Sequence, residues 1–231
     1  MNNVALAAAL ATSPSTAFAE LRERPRYWFP LVLITVASTV MVCWYYSTVD
    51  FEWLKDLMFS NNPKFQALPE AQRTATLSGF TRTMMSWGSA IGTLIFIPVW
   101  YLLQSLYLLL AAKVTKLPQG FKHWFALSCW TALPLLLGTV VAAIMLLMSD
   151  NSQVSPSVLT ALSLNELVFH YPWGSPAQGI LDALTIPAFL SWALMIMGVH
   201  SWSQRSWAFS GIFILLPIVA VYGIWAFFAL R

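Results

Sequence analysis

The sequence predicts an all-α integral membrane protein with five transmembrane helices, and its composition is the first observation behind that prediction. Apolar residues make up 58% of the 231-residue chain, whereas charged residues make up only 9%. Soluble domains carry about a quarter charged residues, so this chain has too few charges to cover a water-exposed surface. Its 12 Trp, 15 Phe and 7 Tyr residues suit the headgroup region of a bilayer. The composition excludes a disordered chain, a disulfide-stapled secreted fold and a nucleic-acid-binding protein.

The second observation is a set of five long apolar stretches. Each is near or above the ~20 residues that cross about 30 Å of hydrocarbon as a helix. None contains Asp, Glu, Lys or Arg away from its ends. No repeat or flexible linker separates them, so residues 1–231 are interpreted as a single membrane domain. The predicted spans are 28–46, 86–112, 124–148, 180–199 and 207–229.

The third observation is the charge of the loops, which predicts an orientation. Loops on the N-terminal side carry seven basic and two acidic residues, and those on the other side carry five basic and seven acidic residues. Because cytoplasmic loops carry an excess of Lys and Arg, we expect the N-terminus inside and the C-terminus outside. The expected partner is the lipid bilayer, with anionic headgroups at these basic loops, worth about 1 kcal/mol per residue. The basic residues are Arg22, Arg24, Arg26, Lys113, Lys116, Lys122 and Arg205.

The start of the chain allows two interpretations. An apolar VALAAALA run, with small residues just before Glu20, fits a cleaved signal peptide. Against it, no Lys or Arg precedes the run, and the positive charges follow it instead. We favour an uncleaved surface helix over 14–24, with Ser13 as its cap and Pro14 in its first turn. Its expected apolar face is Ala17, Phe18 and Leu21.

Short helices are also expected in the two outer loops. Asp50 can cap a helix whose apolar face holds Phe51, Leu54 and Met58, and Pro69-Glu70 starts a second one after the turn Asn61-Asn62-Pro63. Apolar residues then recur at steps of three and four into span two, which predicts one long protruding helix. Those residues are Leu77, Phe80, Met84, Trp87 and Ile91.

The third loop has a further expected helix, running from Ser155-Pro156 to about Phe169, too short to span comfortably. We expect it to lie in the interface or to enter the membrane partway. Asp182 follows it and is expected in the first turn of span four, where an acid favours the helix dipole.

No catalytic, cofactor-binding or metal-ligating residue is predicted. His123 and His200 are expected at the cytoplasmic side and His170 outside, which leaves a zinc ion short of its usual four ligands. No Gly-x-Ser-x-Gly motif occurs. Cys43 and Cys129 differ in expected depth by roughly 15 Å, too far for a disulfide.

The spans contain few polar residues but several helix breakers. Gln104 is the most polar mid-span side chain, expected to hydrogen-bond across helices or to contact a substrate. Pro98, Pro134, Pro187 and Pro217 are interior and would each free a carbonyl, in either a hinged transporter or a static kinked bundle. Two small-residue pairs permit close helix approach, either within the bundle or to a second copy. They are Gly88 with Gly92, and Gly138 with Ala142.

Several segments together resemble the Yip domain family, named for Ypt/Rab-interacting proteins. They are SPSTAFAELRERPRYWFPLVL, NPKFQALPEAQRTATLSGFTRTM, FKHWFALSCWTALPLLLG, ALSLNELVFHYPWGSP, ILDALTIPAFLSWALMIMGVHSW and SWAFSGIFILLPIVAVYGIW. The resemblance covers roughly 13–228 and implies five spans with a cytoplasmic N-terminus. Eukaryotic members act in trafficking and contact Rab GTPases, but this sequence lacks their Asp-Leu-Tyr-Gly-Pro entry and is similar to bacterial members.

Two functions follow from these observations. The favoured one is a non-enzymatic binding, scaffolding or membrane-organising protein of the Yip type, placed in a bacterial inner membrane. Its protein partner would be another copy of the chain or another membrane protein. The alternative is a small-solute or lipid-linked-substrate transporter, based on the kinked spans and Gln104. A polar cavity reaching Gln104 would favour transport, and a dry core would favour scaffolding.

Overall fold

The computed structural model describes residues 1–60 and 63–229, and only the backbone of Pro63 and Lys64. The predicted turn at Asn61-Asn62-Pro63 and the terminal Arg231 therefore lie wholly or partly outside the described residues. Most of the described residues are helical. The first half of the chain contains α1 Asn3–Thr12, α2 Pro14–Glu23, α3 Trp28–Thr48, α4 Phe51–Ser60, α5 Pro63–Gln66, α6 Glu70–Gly79 and α7 Arg82–Val114. The second half contains α8 Phe121–Thr131, α9 Leu135–Leu147, a 3₁₀ helix Pro156–Thr160, a π-helix Asn165–Phe169, α10 Gln178–Ala183, α11 Ile186–Ser203 and α12 Trp207–Ala229.

The five predicted spans are confirmed as helices long and apolar enough to cross a membrane. They are α3, α7, the pair α8–α9 over Phe121–Leu147, α11 and α12. Pro134 divides the third span, because α8 ends at Thr131 and α9 begins at Leu135. The spans enclose a buried cluster shared with the N-terminal helices, in which Trp124 and Trp130 are fully buried.

The two N-terminal helices form a hairpin against this cluster. The predicted helix over 14–24 is present as α2, and its expected apolar face of Ala17, Phe18 and Leu21 is buried. That face packs on α8 and α11. The Trp202 indole N–H donates to the Phe18 carbonyl at 2.8 Å and so fixes α2 to the end of α11.

The single long helix expected from Pro69 into span two is wrong, because the chain breaks at Phe80 and Thr81. Helix α6 begins at Glu70 as predicted but ends at Gly79. Thr81 then caps α7, its hydroxyl oxygen accepting from the Met84 N–H at 3.2 Å. The Phe80 ring turns onto Phe59, with centroids 5.0 Å apart. A local cap and a ring contact therefore outweigh the apolar periodicity.

The preceding short helix agrees with prediction. Helix α4 starts at Phe51, and the Asp50 carboxylate accepts from the Trp53 N–H at 3.2 Å. Phe51 and Leu54 are buried, and Met58 packs against the same cluster.

The predicted helix from Ser155 to Phe169 is wrong as one element. The structure has a 3₁₀ helix and a π-helix there, separated by a bridge between Ser163 and Thr185. Ser163 interrupts the helix because its side chain makes two bonds. Its oxygen accepts from the Glu166 N–H at 3.2 Å, and its hydroxyl donates to Asp182 at 3.4 Å.

The start of span four also differs from prediction. Residues 180–183 belong to the separate helix α10, and Thr185 caps α11 by accepting from the Ala188 N–H at 3.1 Å. Pro187 consequently lies in the first turn of α11 and not in its interior. Asp182 lies near the end of α10, so its predicted dipole role is wrong. Its carboxylate instead accepts from the Gln178 side chain at 2.9 Å.

An aromatic side chain hydrogen-bonds to the carbonyl that Pro217 leaves free inside α12. A proline lacks the N–H that would bond to the residue four positions before it. The carbonyl of Phe213, four before Pro217, accepts from the Tyr107 hydroxyl at 3.0 Å. The carbonyl of Ala183, at the end of α10, accepts from the Tyr222 hydroxyl at 3.3 Å.

A third such bond lies just before α3, where the Arg26 carbonyl accepts from the Trp130 indole N–H at 2.6 Å. Neighbouring helices therefore satisfy these backbone groups, as a membrane environment requires.

The three glycines of the predicted small-residue pairs make no close helix contact within this bundle, whereas Ala142 is buried at 1% exposure. A Cβ atom added at Gly88, Gly92 or Gly138 would meet no neighbouring atom within 4 Å in the described part of the chain. The interpretation that these glycines hold the bundle together is wrong. Gly198 has that role, because a Cβ there would collide with Leu127 Cδ1 and come within 3.1 Å of the Phe18 ring.

Candidate functional site at the basic end of the bundle

Three separate segments meet at one end of the bundle, which we call the basic end. It consists of the end of α2 with residues 24–27, the α7–α8 turn and the α11–α12 turn. The Gln119 side chain donates to the Trp202 carbonyl at 3.5 Å, and Arg205 donates to the Thr115 carbonyl at 2.6 Å. These contacts join the α7–α8 and α11–α12 turns, and the bond from the Trp202 indole to the Phe18 carbonyl connects α2 to them.

An aromatic layer lies beneath this end. Trp124 and Trp202 are almost fully buried, with ring centroids 5.6 Å apart. The Trp124 indole donates to the Gln119 carbonyl at 3.1 Å and fixes the α7–α8 turn. His123 lies edge-on to Trp202, and the His200 ring stacks on Trp207 with centroids 3.9 Å apart. Both histidines therefore belong to the aromatic packing of this end.

Most of the cations above this layer are unpaired. Among the described residues, Arg26 is the cation of this end that forms an ion pair with an acidic side chain, at 2.6 Å from Glu20. Arg205 is held over the Phe209 ring at 4.6 Å. The cations of this end that are exposed and form no ion pair with a described residue are Arg22, Arg24, Lys113, Lys116, Lys122 and Arg205.

Glu20 is the acid that this end uses internally. Its carboxylate accepts from the Met1 amine at 3.0 Å and from Arg26 at 2.6 Å. The hydrogen bond from that amine, together with the positive charges of the amine, Arg26 and Arg24, lowers the pKa of Glu20, although burial opposes the shift. Glu20 is therefore ionised at neutral pH and neutralised by its own neighbours, which leaves Glu23 as the other acid of this end beside six exposed cations.

The arrangement is suited to binding anions. Lys and Arg side chains offer several N–H donors each, and phosphate oxygens are the acceptors that match them. The described residues contain no group of three or more His, Cys, Asp or Glu side chains placed to hold a metal ion. His170 lies in the loop between the third and fourth spans, in a left-handed conformation with φ of 54°, and takes no part in the basic end.

Comparison with known proteins bears on the whole chain. The model of the Yip1 domain matches residues 8–230, which is nearly the full length. The chain belongs to the Yip1 domain family. It is also similar to the "Membrane protein YknW" of Bacillus subtilis (strain 168), with 25% identity over 189 residues. That alignment covers 82% of this chain and 74% of the Bacillus protein. No solved structure matches this chain.

The opposite end of this Yip1-domain bundle has two open cavities of about 380 Å³ each. The first contains charges of both signs. Lys55 pairs with Glu52 at 2.7 Å, and Arg82 donates to the Tyr46 and Ser47 carbonyls at the end of α3. Sequence reasoning missed these cavities, because the first forms where α4 and α6 meet the start of α7 and the second where α4, α5 and α6 meet. The cations of the first cavity are occupied by the contacts just described.

Gln104 does not make the predicted bond across helices. Its side-chain oxygen is buried and has no hydrogen-bond partner among the described residues. The neighbouring Ser105 instead donates to the Tyr101 carbonyl at 2.6 Å, and its oxygen lies 3.2 Å from the Ser128 hydroxyl oxygen, within hydrogen-bond distance. Cys43 and Cys129 are both free thiols, and Cys129 is buried among apolar side chains of α3, α7 and α8.

Sequence reasoning also missed Gln119, whose side chain is nearly buried at 7% exposure. It joins two loops that are far apart in the chain, and no local pattern marks it. Its two hydrogen bonds, from its side chain to the Trp202 carbonyl and from the Trp124 indole to its own carbonyl, hold the α7–α8 turn on the aromatic layer. The only sequence signal for this site was the positive charge of the loops, which correctly grouped the cations at one end of the bundle.

Proposed function

We propose that this Yip1-domain protein is a non-enzymatic membrane scaffold whose basic end holds anionic lipid headgroups on the cytoplasmic face of a bacterial inner membrane. The observation that carries the proposal is the group of exposed, unpaired cations at one end of the bundle. The positive-inside rule supports the cytoplasmic placement. Similarity to a Bacillus membrane protein supports the bacterial membrane.

A scaffolding role is also supported by how the interior is filled. The central cluster is built from large side chains that are fully buried, among them Trp124, Trp130 and Phe18. Apolar side chains of α2, α7, α8, α11 and α12 all contribute to it. A packed interior favours a rigid platform over a path for a solute. Binding would therefore occur on the outer surfaces of the bundle.

The test is the binding of short-chain phosphatidylglycerol to the protein in zwitterionic micelles. Lys113 and Lys122 are exposed at the basic end, and each cation near a membrane surface contributes about 1 kcal/mol. The double variant Lys113→Gln, Lys122→Gln should therefore bind the anionic lipid ~30-fold more weakly, which corresponds to about 2 kcal/mol.

The matched control removes two cations from the opposite end, in the double variant Lys55→Gln, Arg73→Gln. It should retain the affinity of the unmodified protein, since both residues lie in the loop between the first two spans. Equal losses in the two double variants would mean that only net charge matters. No loss in the first variant would contradict the proposed role of the basic end.

A transporter is the second candidate, and the unpartnered oxygen of Gln104 is the observation that favours it. A polar atom left free inside a span is available to a substrate. If the protein is a scaffold, Gln104→Met should keep its thermal stability, since this oxygen makes no bond worth the ~0.6 kcal/mol average for membrane helices. Solute efflux from proteoliposomes that is present in the unmodified protein and lost in Gln104→Met would support transport instead.

A further inference from the structure

Helix α1 is apolar on every side, although it is only partly buried. Leu6 and Leu10 pack into the central cluster and are at most 3% exposed. The opposite face is open, with Val4 at 71% exposure and Ala8 also exposed. A helix that is hydrophobic all round belongs in a protein core or in a membrane. The open face of α1 is therefore unsuited to water.

The length of α1 rules out a transmembrane crossing. Its ten residues extend about 15 Å, half of the ~30 Å hydrocarbon thickness. The chain then reverses at Ser13 and Pro14, and α2 packs back along α1. The hairpin can therefore enter a single leaflet only.

Several of the polar groups at the two ends of α1 are bonded to their own neighbours. The Asn2 side chain accepts from the Ala5 N–H at 2.7 Å, and the Ser13 N–H donates to the Ala9 carbonyl at 2.7 Å. The Thr12 hydroxyl donates to the Ala8 carbonyl at 3.0 Å. Lipid cannot hydrogen-bond to backbone groups, so a lipid-exposed helix must satisfy them in this way.

The charges near α1 fit the same placement. The Met1 amine is paired with Glu20 at 3.0 Å, and α1 itself carries no charged side chain. The cations Arg22 and Arg24 are both exposed at the end of α2, so they can extend to phosphate headgroups while α1 lies in the lipid. Leu6 and Leu10 share their cluster with Val199 of α11 and Ile214 of α12, which belong to membrane spans.

We infer that α1 is a non-spanning helix embedded in the lipid leaflet at the basic end, with acyl chains covering the face that holds Val4 and Ala8. The hairpin makes the bundle wider in that leaflet than its five spans alone would. This lipid contact does not require headgroup binding by Lys113 and Lys122, so the two proposals fail independently.

The experiment measures the depth of single bimane probes in nanodiscs. Cys43→Ser and Cys129→Ala first remove the native thiols. Probes are then placed by Ala8→Cys on the open face of α1, by Ser15→Cys on the exposed face of α2, and by Ile212→Cys on the lipid-facing side of α12. Ala8 should lie about 5–10 Å below the headgroup boundary, as for other interfacial helices.

The Ala8→Cys probe should be quenched by doxyl lipids as strongly as the Ile212→Cys probe and be protected from aqueous iodide. The Ser15→Cys probe should show the reverse. Ala8→Asp should lower the melting temperature in nanodiscs, whereas Ser15→Asp should not. Iodide quenching at Ala8, or shielding from both quenchers by a protein partner, would overturn the inference. An intact mass that places the mature start at Glu20 would also overturn it.

Discussion

Replacing Gly198 by Leu should lower the free energy of unfolding of the detergent-solubilised protein by about 1–3 kcal/mol, the usual cost of overpacking. A Cβ at this position collides with Leu127 Cδ1 and approaches the Phe18 ring. The end of a leucine side chain could turn away if space were available. Leu127 is fully buried, however, and Phe18 is 1% exposed, so neither can move without displacing other core residues. Helices α2, α8 and α11 would have to separate.

The matched variant Gly92→Leu should leave the melting temperature of the monomer unchanged or raise it. No atom lies near its Cβ position, and leucine favours a helix over glycine by up to about 1 kcal/mol. Thermal melts in mild detergent, with the mass measured by light scattering, compare the two variants. A large fall in the melting temperature of Gly92→Leu, without one in Gly198→Leu, would contradict the packing described here. A fall in mass would assign Gly88 and Gly92 to contact with a second copy.

The glycines illustrate what this sequence could and could not predict. Hydropathy fixed the existence of five spans, because a bilayer demands about 20 apolar residues whatever the packing. It gave no information on which side of a helix meets another helix. Gly88 and Gly92 matched a known spacing but face away from the bundle. Gly198 has Leu194 and Trp202 one turn away, so no small-residue pattern marked it. It nevertheless lies where α11 comes close to the Leu127 and Phe18 side chains.

The loops show the same limit on a shorter scale. The apolar period from Leu77 to Ile91 is real, but two successive helices carry it, and Thr81 caps the second one. Ser163 and Asp182 are 19 residues apart, and the bond between their side chains depends on tertiary structure. Local caps such as Asp50 were predictable because their partners are three residues away. Partners far apart in sequence were not.

The basic end was predicted more completely than any other feature. Its cations were grouped from loop charge alone, because topology obliges alternate loops to lie on the same side. The sequence did not reveal the aromatic layer of Trp124 and Trp202 that supports them. The sequence also did not reveal that Glu20 forms ion pairs with the Met1 amine and Arg26, so that Glu20 pairs with none of the other cations.

Removing the Tyr107 hydroxyl should have a large effect for a different reason, which concerns Pro217. Because Pro217 has no N–H, the Phe213 carbonyl lacks its partner within α12 and accepts from Tyr107 at 3.0 Å. Hydrogen bonds between membrane helices average ~0.6 kcal/mol and reach ~1.7. This one should lie near the upper limit, since Phe213 is buried and its carbonyl would otherwise be unsatisfied.

A double-mutant cycle with Pro217→Ala tests that reason directly. Tyr107→Phe alone should cost about 1–2 kcal/mol of unfolding free energy, because it leaves the carbonyl without a donor. In the Pro217→Ala background the restored N–H can bond to the Phe213 carbonyl, so the same change should cost almost nothing. Tyr46→Phe is the control, since no hydrogen bond of its hydroxyl is found among the described residues. Equal costs of Tyr107→Phe in both backgrounds would show that the hydroxyl does not compensate for the proline.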